Sequence, residues 1–318
     1  MESPMAHVRL AVLSAAAAVT LALTACGGSS EAADEPATAS TVTIDHAQGT
    51  TEVPVDPETV FTFDLGALDT LDALGVDVDG VPQGTLPAQL SAYAGGGTTS
   101  IGSMKEPDFE AIAAAAPDLI IISGRVADSY DELTEIAPTI DLSVDAADPI
   151  PSFKEHTASL GRIFGLEDEV AERLEALDAT ISETREAAAT AGNGLILMTS
   201  AGEVTAYGAG SRFGLIHDVL GVEPAATVTS EGTHGEAVSF EYIADVNPAH
   251  LFVIDRDAAV GEAGAAGAAV LDNELVDRTD AAKNDAVTYL DSAGWYLIGY
   301  GLNNLDAMIS AINEAVSA

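Results

Sequence analysis

The chain has 318 residues and is strongly acidic, with 51 Asp and Glu residues against 11 Lys and Arg residues and a formal net charge of −40. This balance excludes nucleic acid as a partner, because neutralising phosphate groups requires a basic surface. Cys26 is the only cysteine, which excludes a disulfide within one chain.

The N-terminus resembles a bacterial lipoprotein signal. An apolar stretch from Leu10 to Leu23 is too short for a membrane span and leads into Leu-Thr-Ala-Cys at residues 23–26. Residues 1–26 are therefore predicted to be a signal whose Cys26 is lipidated, with an ordinary secretory peptide and an incidental cysteine as the alternative. Residues 27–40 have no apolar periodicity and are predicted to be a flexible tether. The expected location is outside the cell membrane, anchored to it by lipid.

The next part of the chain alternates short strand and helix signals. Residues 41–45 and 60–63 are rich in β-branched and aromatic side chains and predict strands. Leucines at helical spacing then run from residue 65 to residue 74, with Asp64 as the predicted N-cap and Gly75 as the predicted C-cap. Residues 41–164 are predicted to form an N-terminal lobe.

A long uninterrupted helix is predicted next. From Leu166 to about Ala189, apolar residues recur at helical intervals among charged residues, with no Gly or Pro between them. Residues 165–191 are predicted to be a linking helix. Strand and helix signals alternate again in residues 192–318, which are predicted to form a C-terminal lobe with a last helix from about Leu302. The predicted class is α/β, with two βα lobes joined by one long helix.

A seventeen-residue pattern occurs twice without a gap, at residues 109–125 and 240–256. In each copy Phe-Glu-x-Ile-Ala begins a helical pattern, a proline stops it, and an apolar run predicts a strand buried on both faces. An arginine stands where each strand ends, Arg125 in the first copy and Arg256 in the second. Ligands of α/β sheets bind beyond the carboxyl ends of strands. The repeat therefore predicts an anionic ligand held between two similar lobes.

These features together resemble the periplasmic-type substrate-binding proteins that serve iron–siderophore and vitamin B12 ABC importers, whose lobes are linked by a rigid helix. The likeness extends over essentially the whole mature chain. Several segments are similar to the subgroup that binds ferric catecholate siderophores, including petrobactin-type ligands. These segments are residues 60–71, 117–125, 130–133, 136–140, 152–154, 208–214 and 295–297.

The resemblance implies a non-catalytic receptor with a ligand cleft between its lobes and no cofactor of its own. Such a receptor delivers a ferric siderophore to the permease and ATPase of an ABC importer, and a monomer is expected. Two alternatives stay open: an extracytoplasmic siderophore-processing hydrolase, and a receptor of the same class for haem or a cobalamin-type ligand. A hydrolase would need a nucleophile beside an ordered base, and the sequence supplies no recognisable setting for that pair.

Three arginines are predicted to bind the ligand. A ferric catecholate complex carries negative charge and flat rings, and the guanidinium group donates several hydrogen bonds and stacks on aromatic rings. By the resemblance, Arg125, Arg212 and Arg256 match the three pocket arginines of the subgroup. Arg212 would otherwise be a helix-start or surface arginine. Arg173 lies in the predicted linking helix and is expected to be a surface residue.

His234 and Tyr296 are predicted ligands of the siderophore iron. The resemblance implies this role, because in the subgroup a histidine of this loop and a tyrosine near the last helix ligate iron that a siderophore leaves with two open positions. Imidazole nitrogen and phenolate oxygen are both competent donors to iron(III). Trp295 is expected to contact the ligand, and Trp295 or Tyr300 could take the place of Tyr296. The alternatives are a surface-loop histidine and core aromatic residues.

Overall fold

Two β-sheets, separated in the chain by one long helix, organise this computed structural model, which describes residues 40–84, 86–229 and 235–318. The helices on these sheets alternate with the strands along the chain. The predicted α/β class is therefore confirmed.

The N-terminal sheet is entirely parallel, with strand order β5-β4-β3-β6-β7, and an antiparallel hairpin of β1 and β2 precedes it. The strands are β1 (Thr41–His46), β2 (Gly49–Pro54), β3 (Val60–Thr62), β4 (Gly80–Gln83), β5 (Thr99–Ser103), β6 (Leu119–Ile122) and β7 (Thr139–Asp141). The helices are α1 (Leu65–Ala73), α2 (Phe109–Ala115), α3 (Tyr130–Thr134) and α4 (Pro149–Phe164), with 3₁₀ turns at Ala88–Ala94 and Ala127–Ser129. Every residue of β6 is buried, as expected for an inner strand covered on both faces.

The predicted linking helix is observed as α5 (Glu167–Ala191), an uninterrupted helix of 25 residues. It extends for about 37 Å at 1.5 Å per residue. Gly165 separates it from α4 and has a φ of +66°, a left-handed conformation that glycine adopts without steric cost.

The C-terminal sheet is mixed, with strand order β11-β9-β8-β12-β13 and β10 also paired to β8. Its strands are β8 (Asn193–Ser200), β9 (Glu203–Tyr207), β10 (Glu223–Pro224), β11 (Glu236–Ala237), β12 (His250–Asp255) and β13 (Val287–Tyr289). The helices are α6 (Phe240–Val246), α7 (Arg256–Val260), α8 (Gly267–Val270), α9 (Asp280–Lys283) and α10 (Leu302–Ser317), with a 3₁₀ turn at Val276–Arg278 and short π-helices at Leu215–Val219 and Gly294–Ile298. β8, β12 and β13 run parallel to one another.

The two copies of the repeat have the same local structure. The side chains of Asp108 and Ser239 cap α2 and α6 by accepting a hydrogen bond from the backbone N–H three residues later, at 3.0 Å and 3.2 Å. Each helix then ends at a residue with positive φ, Ala116 at 49° and Asn247 at 46°, directly before the proline. The strands that follow, β6 and β12, are inner strands of their sheets. The arginine of each copy is thereby placed at a carboxyl edge.

The last helix, α10, packs along α5, so two helices accompany the connection between the sheets. Buried residues of both helices belong to one hydrophobic cluster, including Leu177 and Ile181 of α5 and Ile309 and Ile312 of α10. Across the ranges that the structure describes, no helix is both long enough and apolar enough to pass through a bilayer.

Candidate functional site

A cleft of about 720 Å³ lies between the carboxyl edge of the N-terminal sheet and loops of the C-terminal half. The charge of its lining is opposite to that of the chain. Among the residues that the structure describes, four lysines and arginines line it, whereas Asp64 is the one acidic residue that does so. The four cations are Lys105, Arg125, Arg212 and Arg256. The structure thus brings the three predicted arginines together in one site that is suited to an anion.

Arg125 follows the end of β6 and lines this cleft. Its guanidinium donates hydrogen bonds to the backbone carbonyls of Tyr296, at 3.2 Å, and Leu297, at 3.3 Å. Burial lowers the pKa of Arg125, while the nearby Asp64 carboxylate acts in the opposite direction. Within the described chain its hydrogen-bond partners are neutral carbonyls, so its charge is available to an anionic ligand.

Arg212 comes from the glycine-containing loop after β9. Its guanidinium donates a hydrogen bond of 3.0 Å to the same Tyr296 carbonyl and lies 4.5 Å from the centroid of the Tyr296 ring. The loop is held by Asp218, whose carboxylate accepts a 2.7 Å hydrogen bond from the Gly210 N–H. Arg212 is also 4.9 Å from the ring of Phe213, within the range of a cation–π interaction. Because Arg212 is exposed and stacked on these two rings, its positive charge faces the cleft.

Arg256 begins α7 directly after β12, and it differs from the other two arginines in having carboxylate partners. It donates hydrogen bonds to Glu262 at 3.1 Å and to Asp257 at 3.4 Å. The pKa of Arg256 is raised, chiefly by the hydrogen bond with Glu262. Its guanidinium carbon lies 5.9 Å from the Tyr296 ring centroid. Because these carboxylates already offset part of its charge, we expect it to contribute less to anion binding.

Tyr296 and Trp295 lie on the π-helix Gly294–Ile298, a wide turn that changes the direction of successive side chains. Tyr296 is half-buried in the cleft, where its ring faces Arg212 and Arg256 and its carbonyl accepts from Arg125 and Arg212. Trp295 lines the cleft but is only 4% exposed and belongs to the hydrophobic cluster of α5 and α10.

Sequence reasoning missed Lys105 as a cleft residue and predicted Asp64 only as an N-cap, which it is, accepting from the Ala67 N–H at 2.5 Å. The signal for Lys105 was its place shortly after β5, at the same carboxyl edge as Arg125. His234 and Cys26 lie outside the described residues, as do residues 27–39, so their roles stay predictions. Among the described residues, no three His, Cys, Asp or Glu side chains converge as a metal site.

Comparison with known proteins agrees with this geometry. A sequence profile described as periplasmic binding protein matches residues 60–293. The petrobactin-binding protein YclQ of Bacillus subtilis is 42% identical over 314 residues, 97% of this chain and 99% of that protein. Its crystal structure has a TM-score of 0.84 at 44% identity, covering 88% of this chain and 99% of that chain.

Two further relatives come from Vibrio species. The crystal structure of the periplasmic catecholate-siderophore binding protein VctP of Vibrio cholerae has a TM-score of 0.82 at 34% identity and covers 86% of this chain and 100% of that chain. The ferric-anguibactin-binding protein FatB of Vibrio anguillarum is 31% identical over 277 residues, 85% of this chain and 86% of that protein.

Proposed function

The chain belongs to the periplasmic binding protein family, and we propose that it is the substrate-binding protein of a siderophore ABC importer. It captures an anionic ferric siderophore of the catecholate class and acts as a transport protein rather than an enzyme. The observation that carries this proposal is the convergence of Lys105, Arg125, Arg212 and Arg256 on one cleft of a chain whose net charge is −40. The relatives named for petrobactin and for catecholate siderophores support the ligand class.

The chemistry of the cleft matches such a ligand. Catecholate oxygens bound to iron carry negative charge that guanidinium N–H groups can satisfy, and catechol rings can stack on the guanidinium planes. The cleft volume of about 720 Å³ lies within the range of about 300–1,000 Å³ that is usual for small-molecule sites. Haem and cobalamin-type ligands are the alternatives to be tested.

The experiment that tests the proposal is a fluorescence titration. Trp295 is the only tryptophan and lines the cleft, so quenching of its emission reports binding there. We expect ferric catecholates to bind more tightly than ferric hydroxamates, haem or cobalamin, and to be recovered with unchanged mass. Preference for haem or cobalamin would refute the ligand class, and hydrolysis of the siderophore would refute the transport role.

We propose in addition that Tyr296 and His234 complete the coordination of iron that a tetradentate siderophore leaves with two open positions. The position of Tyr296 in the cleft supports this proposal for the tyrosine, and the resemblance to the catecholate subgroup supports it for both residues. Changing Tyr296 to Phe removes the oxygen donor and keeps the ring. We expect this variant to lose the shift of the ligand-to-metal charge-transfer band with a tetradentate ferric complex but to bind a hexadentate complex as the wild type does.

We propose that the protein works as a monomer tethered to the membrane by lipid on Cys26, from which it delivers its ligand to a permease and its ATPase. The lipoprotein-like sequence before Cys26 supports the anchor. The variant Cys26→Ala should appear in the medium with unchanged siderophore affinity, whereas Ser29→Ala should stay with the membrane fraction. Retention of Cys26→Ala in that fraction would refute the anchor.

A further inference from the structure

The segment of residues 294–301, which carries Trp295 and Tyr296, follows the C-terminal sheet in the chain, but part of it packs into the core of the N-terminal half. Leu297 and Ile298 are 8% and 5% exposed. They belong to the same hydrophobic cluster as Val60 of β3, Leu68 of α1 and Ile121 of β6. Leu297 and Ile298 therefore anchor Tyr296 to the N-terminal wall of the cleft. Tyr296 also packs against the cluster that contains Trp295, and its ring faces Arg212 and Arg256 of the C-terminal half.

Helix α1 holds the start of α10, which comes directly after this segment. The carboxylate of Asp69, which is 3% exposed, accepts hydrogen bonds of 2.9 Å from the N–H groups of both Asn303 and Asn304. The hydroxyl of Thr70 accepts a 3.1 Å hydrogen bond from the Leu302 N–H. The first N–H groups of a helix lack partners within it and carry partial positive charge. Two side chains of the N-terminal half thus cap the helix that begins shortly after Tyr296.

Asn304 connects the capped start of α10 to the π-helix Gly294–Ile298. Its side-chain N–H₂ group donates to the Gly294 carbonyl at 3.0 Å and to the Gly299 carbonyl at 2.7 Å, one at each end of the turn that carries Tyr296. Asn304 is 5% exposed, so water cannot easily replace these bonds. Together with the contact of Arg125 to the Tyr296 carbonyl, they leave the turn little freedom to rotate.

We infer that Asp69 and Asn304 are positioning residues for ligand recognition, which act by holding Tyr296 at its place on the N-terminal wall of the cleft. Neither side chain lines the cleft, so neither is expected to touch the ligand. The inference rests on the proposed function and adds the residues that set the position of the tyrosine.

The test is a double-mutant cycle between Asn304 and Tyr296. Asn304→Asp has nearly the same shape but replaces the NH₂ group, which supplies both N–H donors, with one carboxylate oxygen that faces the two carbonyls. In the wild-type background we expect it to weaken binding of a tetradentate ferric bis-catecholate by about ten-fold, the scale of coupling within one hydrogen-bond network. In a Tyr296→Ala background the same change should have almost no further effect. Asn303→Asp, the same substitution at the exposed neighbour, is the matched control and should leave binding unchanged.

The band position of the ferric complex and the emission of Trp295 are recorded for each variant, because a loss of stability alone would not shift them in the folded protein. If Asn304→Asp does not fold, as judged by circular dichroism, the same cycle is run with Asp69→Asn, which keeps one oxygen acceptor, against Asp72→Asn on the exposed face of α1. Equal losses of siderophore affinity in the wild-type and Tyr296→Ala backgrounds would overturn the inference while leaving the proposed function in place. A wild-type protein that binds no ferric catecholate would overturn the proposed function first and the inference with it.

Discussion

Replacing Arg125 with Ala should weaken binding of a ferric catecholate more than any change to a surface arginine. Arg125 is a half-buried cation of the cleft, and its hydrogen-bond partners in the described chain are the neutral carbonyls of Tyr296 and Leu297. A hydrogen bond to a charged group contributes about 1.5–3 kcal/mol. At about 1.4 kcal/mol per factor of ten, the expected increase in Kd is about 10-fold to about 150-fold.

The same substitution should also lower stability. The Leu297 carbonyl loses its donor and the Tyr296 carbonyl keeps only Arg212, and each lost bond contributes about 0.5–1.5 kcal/mol. Because the distances of 3.2 Å and 3.3 Å are long for N–H···O bonds, we take the lower end and expect a loss of about 1 kcal/mol in the free energy of unfolding. Arg125→Lys keeps the charge but cannot reproduce the fork of the guanidinium, so its affinity should fall between those of the wild type and Arg125→Ala.

The assay is the Trp295 quenching titration at two salt concentrations, with urea unfolding in parallel. Arg173→Ala is the control, because Arg173 lies on α5 outside the cleft, where it donates a 2.8 Å hydrogen bond to Asn303. Salt screens exposed charges beyond about 10 Å at 0.1 M, so any long-range effect of Arg173 should vanish at high salt while that of Arg125 persists. Equal losses from Arg125→Ala and Arg173→Ala at both salt concentrations would refute the assignment of a specific cationic pocket.

Three further outcomes are expected. Arg256→Ala should weaken ferric catecholate binding by about 1 kcal/mol or less, because its carboxylate partners already offset its charge; a larger loss than that of Arg212→Ala in the same titration would contradict this. Burial lowers the pKa of His156, so the unfolded chain takes up a proton at higher pH than the folded chain. The free energy of unfolding should therefore fall as the pH drops below about 6.5, and His156→Gln should flatten that dependence in denaturant titrations between about pH 7 and 5; an unchanged slope would contradict it. Gly66→Ala should destabilise the protein by about 1–3 kcal/mol in urea despite the higher helix propensity of alanine, because the added Cβ would meet the Tyr300 carbonyl; a gain in stability would contradict that contact.

Local patterns in the sequence were sufficient to predict the strands and helices next to Arg125 and Arg256. The apolar run of β6, the proline after each repeat helix and the long stretch without Gly or Pro all act over a few residues, where side-chain periodicity and backbone sterics decide the conformation. Because parallel strands end at a common edge, the positions of Arg125 and Arg256 after their strands also pointed to the cleft.

Long-range packing decided the rest of the site. Arg125 and Tyr296 are 171 residues apart in the chain, and Asp69 and Asn304 are 235 apart, so no periodicity could show that these pairs meet. The same holds for the carboxylate partners of Arg256, which offset its charge, and for the burial of Trp295 among the residues of α5 and α10. The sequence alone determined which residues could bind an anion, whereas the tertiary structure decided which of them lie together and which wall of the cleft holds Tyr296. The physical reason is that the pattern of residue types along the chain reflects only local conformation. The position of a side chain, and whether its charge is already paired, depend on neighbours that only folding brings close.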